Sequence, residues 1–225
     1  MMKKPLPHTI YKTLLKTFGP QRWWPAETPF EVIVGAILTQ STNWTNVEKA
    51  IRNLKRQKLL TLREMSKVKS VKLQKAIRPS GYFRAKAKKL KAFVGHLQQQ
   101  HKEKLKSLFD QPISQLRVEL LSIHGIGPET ADSIILYAAN KPSFVVDAYT
   151  KRIGQRVGLF EFTKYDQIQR FFEDNLPKRL KIYNEFHALI VKLGKDYCQP
   201  KPRCENCPLK VNNLCSSPAG QQASF

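Results

Sequence analysis

The chain has 225 residues, and its 39 lysines and arginines against 17 aspartates and glutamates give a formal net charge of +22. Such an excess of positive charge favours binding to a polyanion, and nucleic acid is the natural partner. The longest apolar stretch, residues 32–38, is far too short to span a bilayer, and the basic N-terminus lacks the apolar core of a signal peptide. We therefore expect no membrane association and a reducing, nucleic-acid-containing compartment: the cytoplasm, near the nucleoid, if the source is bacterial.

Hydrophobic residues recur at helical spacing along most of the chain, and no convincing alternation typical of strands interrupts them. Turn signals such as Pro79-Ser80-Gly81 and Lys141-Pro142 separate the periodic segments. The sequence therefore predicts an all-α protein. The predicted helices include residues 30–38, 47–54, 86–97, 113–121, 131–138 and 183–193.

All three tryptophans of the chain lie close together near the first predicted core helix. Trp23 and Trp24 precede this helix, and Trp44 follows the polar segment that begins at Gln40. Tryptophan rings stack on bases and attract cations, so the three are candidates for a base-binding pocket. The alternative, for at least one of them, is a purely structural role in packing.

A basic run extends from residue 63 to residue 91 and contains a single acid, Glu64. Its lysines and arginines either form an ordinary solvated helix surface or, in part, contact phosphate groups.

A very short glycine turn joins two of the predicted helices. Gly125 and Gly127 allow positive φ and close approach of a partner, and Pro128 suits the first turn of a helix. A tight turn that leads into a helix N-terminus presents backbone N–H groups that suit a phosphate. An ordinary helical hairpin is the alternative. The segment reads Ile123-His124-Gly125-Ile126-Gly127-Pro128-Glu129-Thr130-Ala131.

Asp147 lies eighteen residues after Glu129, immediately before Ala148. A carboxylate at this position could cap the helix that starts there. It could also stabilise positive charge in a transition state. The two roles are compatible.

All four cysteines, Cys198, Cys204, Cys207 and Cys215, fall in one short loop. Because nothing in the sequence indicates export, a metal centre is favoured over disulfides. Thiolates suit either zinc or an iron–sulfur cluster, and their spacing does not separate the two.

The glycine hairpin, the Val145-Val146-Asp147 segment and the cysteine loop together resemble the helix-hairpin-helix DNA glycosylases of the endonuclease III superfamily. The resemblance extends over residues 30–215. It implies an all-α, two-lobed fold. Residues 26–140 would form a six-helix barrel with the hairpin at 123–129, and residues 1–25 and 141–225 a discontinuous helical lobe with the cluster loop at 198–215.

The same resemblance implies roles for individual residues. The hairpin residues Gly125, Ile126, Gly127 and Thr130 would bind double-stranded DNA, with Gln40 entering the duplex as a wedge. Asp147 would stabilise an oxocarbenium-like transition state and orient or deprotonate water. The four cysteines would hold a [4Fe–4S] cluster rather than zinc, although their spacing departs from the usual one. We expect a monomer.

Glu129 occupies a position that matters for the reaction. In members of the family that also cut the strand, this position holds a lysine whose amine forms an imine with the sugar. A glutamate cannot do so, which predicts a monofunctional enzyme that uses water and leaves an abasic site. The alternatives are a bifunctional glycosylase and lyase acting on oxidised or mismatched pyrimidines, and a DNA-binding protein without catalysis.

One branch of the family, the 3-methyladenine DNA glycosylases of endonuclease III type, is the most similar. The resemblance implies that Trp24 and Trp44 stack on an alkylated purine, with Trp23 and Lys195 beside the pocket. Lys195 would match a lysine that is carbamylated in that branch, or would instead bind phosphate or water. The motifs concerned are Trp23-Trp24-Pro25, Leu38-Thr39-Gln40-x-Thr42-x-Trp44, Arg78-Pro79-Ser80-Gly81-Tyr82, Val146-Asp147-x-Tyr149 and Phe186-His187.

Overall fold

The computed structural model describes residues 6–215, and this part of the chain contains thirteen α-helices and no strand. The predicted all-α class is confirmed. Among these helices, none is both long enough and apolar enough to cross a membrane. The helices are α1 (Pro7–Phe18), α2 (Pro29–Thr39), α3 (Trp44–Arg56), α4 (Leu62–Lys67), α5 (Ser70–Ile77), α6 (Phe83–His101), α7 (Leu105–Phe109), α8 (Ile113–Ser122), α9 (Pro128–Ser133), α10 (Ala148–Arg156), α11 (Tyr165–Asn175), α12 (Leu180–Asp196) and α13 (Pro208–Val211).

The chain forms two compact units. Among the described residues, the middle unit is Trp24–Lys141, and the terminal unit joins residues 6–23 to residues 142–215. The predicted boundaries, after residues 25 and 140, therefore move to residues 23 and 141. The first shift has a physical reason, because the Trp24 ring packs on Gly35 and on Tyr137 of the middle unit.

Helix α2 is the central helix of the middle unit. Residues 30–38 are all buried, and the helix packs against α3, α6, α9 and the π-helical stretch Ile134–Ala138. A helix that is apolar on every face belongs in such a position. The hydroxyl of Thr28 starts it by accepting a hydrogen bond of 3.1 Å from the Glu31 N–H, and Pro29 follows at the first helical position.

A buried lysine joins α6 to the end of α2. The Lys86 Nζ donates hydrogen bonds to the carbonyls of Leu38 (2.9 Å) and Ser80 (2.6 Å). Burial lowers the pKa of Lys86 to about 8, and the nearby charge of Lys89 acts in the same direction. Lys86 thus holds in place the segment that leads into Gln40. Because it is buried, it is not one of the residues of the basic run that can contact phosphate groups.

The terminal unit has an aromatic core. Phe144 stacks on Phe172 with ring centroids 4.3 Å apart, and Tyr183 and Phe186 pack edge-on against Phe144. Helix α12 contributes both of the latter rings and packs against α1 and α10. The start of α10, where Asp147 lies, is therefore supported by the most buried helix of this unit.

We expect the Lys86→Met variant to unfold more easily than the wild type, by about 2 kcal/mol, because two buried carbonyls lose their donor. Urea denaturation measures this difference, and Lys88→Met, at an exposed position of α6, is the matched control.

The same pair of variants gives a pH signature. Between pH 8 and 10.5, the ordinary lysine value, the unfolded chain binds a proton at Lys86 that the folded chain does not. The wild-type free energy of unfolding should therefore rise with pH in this window relative to Lys86→Met. Parallel pH profiles for the two proteins would contradict the assignment.

Candidate functional site

The glycine hairpin has the predicted geometry of a sharp turn between two helices. Helix α8 ends at Ser122, Gly125 takes a φ of +84°, and α9 starts at Pro128. The side chain of Ile126 is buried, and its N–H donates to the Ile123 carbonyl at 3.1 Å. Ile126 therefore shapes the turn from inside, and neither its side chain nor its N–H is available to DNA in this conformation. Gly127 is exposed at the N-cap of α9.

An ion pair closes the base of this hairpin. Arg117 of α8 donates from Nε and Nη2 to the two carboxylate oxygens of Asp132 in α9, at 3.0 and 3.2 Å. Asp132 is fully buried. A two-point contact of this kind fixes the orientation of the partners as well as their distance.

Gln40 lies against the hairpin and is hydrogen-bonded to it. Its Nε2 donates to the Gly125 carbonyl (3.0 Å) and to the Thr130 hydroxyl (2.9 Å), and its Oε1 accepts a hydrogen bond from the Lys89 Nζ. The amide is thus fully engaged, and the Thr130 side chain is buried. A wedge role for Gln40 requires that these hydrogen bonds be exchanged when DNA binds.

The stem of Lys89 explains why residue 125 is a glycine. A Cβ at Gly125 would lie 2.3 Å from the Lys89 Cγ, which is too close. The positive φ of Gly125 also disfavours any residue with a side chain. Lys89 belongs to the basic run of the sequence, where nothing distinguishes it from its neighbours. Several members of that run remain exposed and suit phosphate contacts: Arg63, Lys67, Lys69, Lys72, Lys75, Arg78, Arg84 and Lys88.

We expect Gly125→Ala to weaken binding to an undamaged duplex by about tenfold, because an alanine at this φ costs about 1–2 kcal/mol and displaces Lys89. Fluorescence anisotropy measures the affinity. Gly95→Ala in α6, where a Cβ meets nothing within 4 Å, is the control and should bind as the wild type does. Equal affinities for the two variants would show that the hairpin does not bind the DNA.

Trp24 and Trp44 share an open cavity in the middle unit. Their rings meet edge to face with centroids 5.1 Å apart, and Tyr137 lies 5.2 Å from Trp24. The Trp44 Nε1 donates to the Glu48 carboxylate at 2.7 Å, which places a negative charge beside the rings. Neither Tyr137 nor Glu48 was singled out from the sequence, because both lie within ordinary helical patterns. The cavity is lined by Trp24, Pro25, Glu31, Gly35, Trp44, Glu48, Ile51, Arg52 and Lys55.

Trp23 and Lys195 form a pair of their own in the terminal unit. The Lys195 Nζ lies 5.7 Å from the centroid of the Trp23 ring, within the range of a cation–π contact. The four residues predicted for the base pocket therefore divide into Trp24 with Trp44 in one unit and Trp23 with Lys195 in the other.

Asp147 caps α10 and faces a histidine. Its Oδ1 accepts hydrogen bonds from the N–H and the hydroxyl of Thr150, at 2.7 and 2.9 Å. Its Oδ2 lies 3.5 Å from Nε2 of His187, a buried residue of α12. Burial raises the pKa of Asp147, but the contacts with His187 and Thr150 together outweigh burial and lower it. The carboxylate is therefore ionised at neutral pH, as the stabilisation of a cation requires.

The sequence assigns no role to His187, which appears only as part of the Phe186-His187 motif. Its proximity to Asp147 depends on the packing of α10 against α12, which the sequence of neither helix reveals.

The four cysteines line one cavity, together with apolar residues such as Ile153 and Leu193. None of these four described cysteines forms a disulfide. Arg156 donates from Nη1 to the Cys198 Sγ at 3.4 Å. Four sulfurs around one cavity, with a guanidinium beside them, are a donor set that fits a metal centre.

Comparison with known sequences agrees with this geometry. The profile of the HhH-GPD superfamily of base excision DNA repair proteins matches residues 34–178. The proposed DNA repair glycosylase MJ1434 of Methanocaldococcus jannaschii is 52% identical over 207 residues, which cover 90% of this chain and 93% of that protein. Endonuclease III of Thermotoga maritima is 28% identical over 183 residues, or 81% of each chain.

Solved structures give the same result for the fold. The H. pylori 3-methyladenine DNA glycosylase bound to 1,N6-ethenoadenine has a TM-score of 0.75 and 29% identity, covering 85% of this chain and 98% of its own. A trapped covalent intermediate of endonuclease III with DNA has a TM-score of 0.80 and 22% identity, covering 96% and 97%. The second likeness concerns the fold alone.

Proposed function

The chain belongs to the HhH-GPD superfamily of base excision DNA repair proteins and is a DNA glycosylase, and we propose that it hydrolytically releases alkylated purines from double-stranded DNA without cutting the strand. The observation that carries the choice of substrate is the cavity formed by Trp24, Trp44 and Glu48.

This cavity suits a flat base that carries a positive charge. Tryptophan faces attract cations, and the Glu48 carboxylate beside Trp44 adds a negative charge. The Lys55 Nζ is paired with Glu27 and Glu31, at 2.8 and 2.9 Å, so its own charge is largely compensated, and Arg52, the other cation of the lining, is exposed to solvent, which screens its charge. Purines alkylated at N3 or N7 are cationic, whereas undamaged bases and oxidised pyrimidines are neutral. The 29% identical H. pylori relative is named as a 3-methyladenine glycosylase.

The reaction then needs no amine nucleophile. The bond between the base and C1′ breaks, and the electron pair leaves with the cationic base, which departs as a neutral molecule. The ionised Asp147 stabilises the positive charge that develops on the sugar, and water adds to C1′ and loses a proton. Glu129, exposed in the first turn of α9, cannot form the imine that strand cleavage requires.

The proposed contacts with the duplex follow from the hairpin. The exposed Gly127 and the start of α9 would hold a phosphate, and the exposed basic residues of the run at 63–91 would follow the backbone. Gln40 would leave its contacts with Gly125 and Thr130 to fill the gap left by the flipped base. All these contacts come from one chain, in keeping with a monomer.

The cysteine loop would hold a [4Fe–4S] cluster through Cys198, Cys204, Cys207 and Cys215, with zinc as the alternative ion. The cluster supplies a cross-link for a loop with little apolar content. Arg152 and Arg156 attach this loop to α10 through the carbonyls of Cys198 and Gln199, at 2.8 and 2.6 Å. Because Asp147 is the N-cap of α10, the loop would support the helix whose start holds the catalytic carboxylate.

A panel of duplexes, each with a single lesion, tests the proposal. Base release is scored separately from strand cutting. We expect release of 3-methyladenine and 7-methylguanine, and no release of thymine glycol or of thymine or uracil opposite guanine. Asp147→Asn should lose activity at least about 100-fold and still fold, because asparagine also caps helices. Release of the pyrimidines but not of the purines would contradict the proposed substrate class.

His187→Met should shift the pH dependence of kcat/KM. His187 lowers the pKa of Asp147, so its removal raises that pKa and moves the acid limb of the profile to higher pH. His8→Met, in α1 of the same unit, is the control. An unchanged acid limb in His187→Met would show that this histidine does not act on the catalytic carboxylate.

A further inference from the structure

Three side chains of metal-binding type meet in the middle unit, apart from every residue assigned above. His96 and His101 belong to α6, and Glu119 belongs to α8. The Nε2 atoms of the two histidines lie 2.7 and 2.6 Å from the same oxygen, Oε1 of Glu119. One potential ligand atom from each residue falls within 4.8 Å of the others.

We propose that His96, His101 and Glu119 bind a zinc-like divalent cation that fastens the end of α6 to α8. Two imidazoles and one carboxylate, with a water at the fourth position, are a common ligand set for zinc. Zinc bonds of 2.0–2.2 Å place tetrahedral ligand atoms roughly 3.3 Å apart. The present separations from Oε1 are those of hydrogen bonds, so the side chains need to move apart by roughly 0.6 Å to admit the ion.

Outer hydrogen bonds hold two of the three ligands in the required orientation. The Gln111 Nε2 donates to the second oxygen of Glu119 at 2.6 Å, which turns Oε1 toward the histidines. The Nδ1 of His101 lies 3.0 Å from the Ser107 hydroxyl. When Nε2 binds a metal, the ring proton sits on Nδ1 and donates to such an oxygen. Two of the three ligands therefore already have the outer partners that a metal site needs.

The cluster is also accessible to an ion. The side chains of His96, His101 and Glu119 are 21%, 9% and 20% exposed, values between those of a sealed core and an open surface. Contacts with His96, Gln111 and His101 lower the pKa of Glu119 although burial raises it, so this ligand is a carboxylate at neutral pH. Glu119 also lines a surface groove, together with Gln111, Ser114, Gln115, Val118 and Ser122.

The position of the cluster gives the cation a defined effect. Helix α8 leads directly into the glycine hairpin, whereas α6 carries Lys86 and Lys89 on its earlier turns. A bound ion would join these two helices and raise the stability of the middle unit, because a ligand that binds only the folded chain shifts the folding equilibrium.

Zinc titration of the protein, with the cysteine centre filled as isolated, tests the proposal. Competition with a chromophoric chelator should detect one additional zinc per chain, and zinc should raise the Tm. Both Glu119→Gln and His96→Gln should bind this zinc at least tenfold more weakly and lose the rise in Tm. Glu103→Gln, an exposed carboxylate next to the end of α6, is the control and should behave as the wild type does.

Zinc-edge X-ray absorption gives a second readout. It uses the wild type alone and therefore does not require any variant to fold. The additional zinc in the wild type should show nitrogen and oxygen ligands and no sulfur. Absence of additional zinc, sulfur ligation, or equal binding by the wild type and His96→Gln would each overturn the proposal and leave the cluster as an ion pair and hydrogen-bond network without metal.

Discussion

Each oxygen of the Asp147 carboxylate has its own partner, and together the two contacts connect the start of α10 to α12 in the terminal unit. One oxygen caps α10 through Thr150, and the other faces His187 of α12. Burial alone would favour the neutral acid, so the charge depends on both partners. An ionised carboxylate held in this way is a weak base but a fixed negative charge. It suits the stabilisation of a sugar cation better than the early removal of a proton from water.

In the middle unit, the hairpin is held from inside while its outer face remains open. Gln40 bonds to Gly125 and Thr130, the stem of Lys89 covers Gly125, and Arg117 binds the buried Asp132. These contacts fix a turn that leaves Gly127 and Glu129 exposed. A turn arranged in this way can bind a phosphate, but it supplies no amine for attack on the sugar. In the proposed function, the two units thus carry different parts of the chemistry: the DNA-binding hairpin and the aromatic cavity belong to the middle unit, and the catalytic carboxylate belongs to the terminal unit.

Periodicity of apolar residues predicted helices such as α2, α6 and α12 correctly, because they bury most of their apolar residues, whereas α1 and α11 were not predicted although they are at least as long as α2. The short helices α4, α7 and α13 have too few turns for such a pattern to stand out. The sequence alone could not predict contacts between segments that lie far apart along the chain. The pairing of His187 with Asp147, the burial of Lys86 within a basic run and the inward side chain of Ile126 all depend on how helices pack. Nothing in the sequence indicates that the adjacent residues Trp23 and Trp24 belong to different units.

In the proposed reaction, the enzyme uses water where related glycosylases that cut the strand use an amine. Borohydride reduction during turnover of a duplex containing 7-methylguanine tests it most directly, with an endonuclease III and its own substrate as the positive control. If water is the nucleophile, the base is released, the strand stays intact and no covalent adduct forms between protein and DNA. A trapped adduct formed at a rate comparable to base release would contradict it, because it would show that a lysine attacks the sugar although residue 129 is a glutamate.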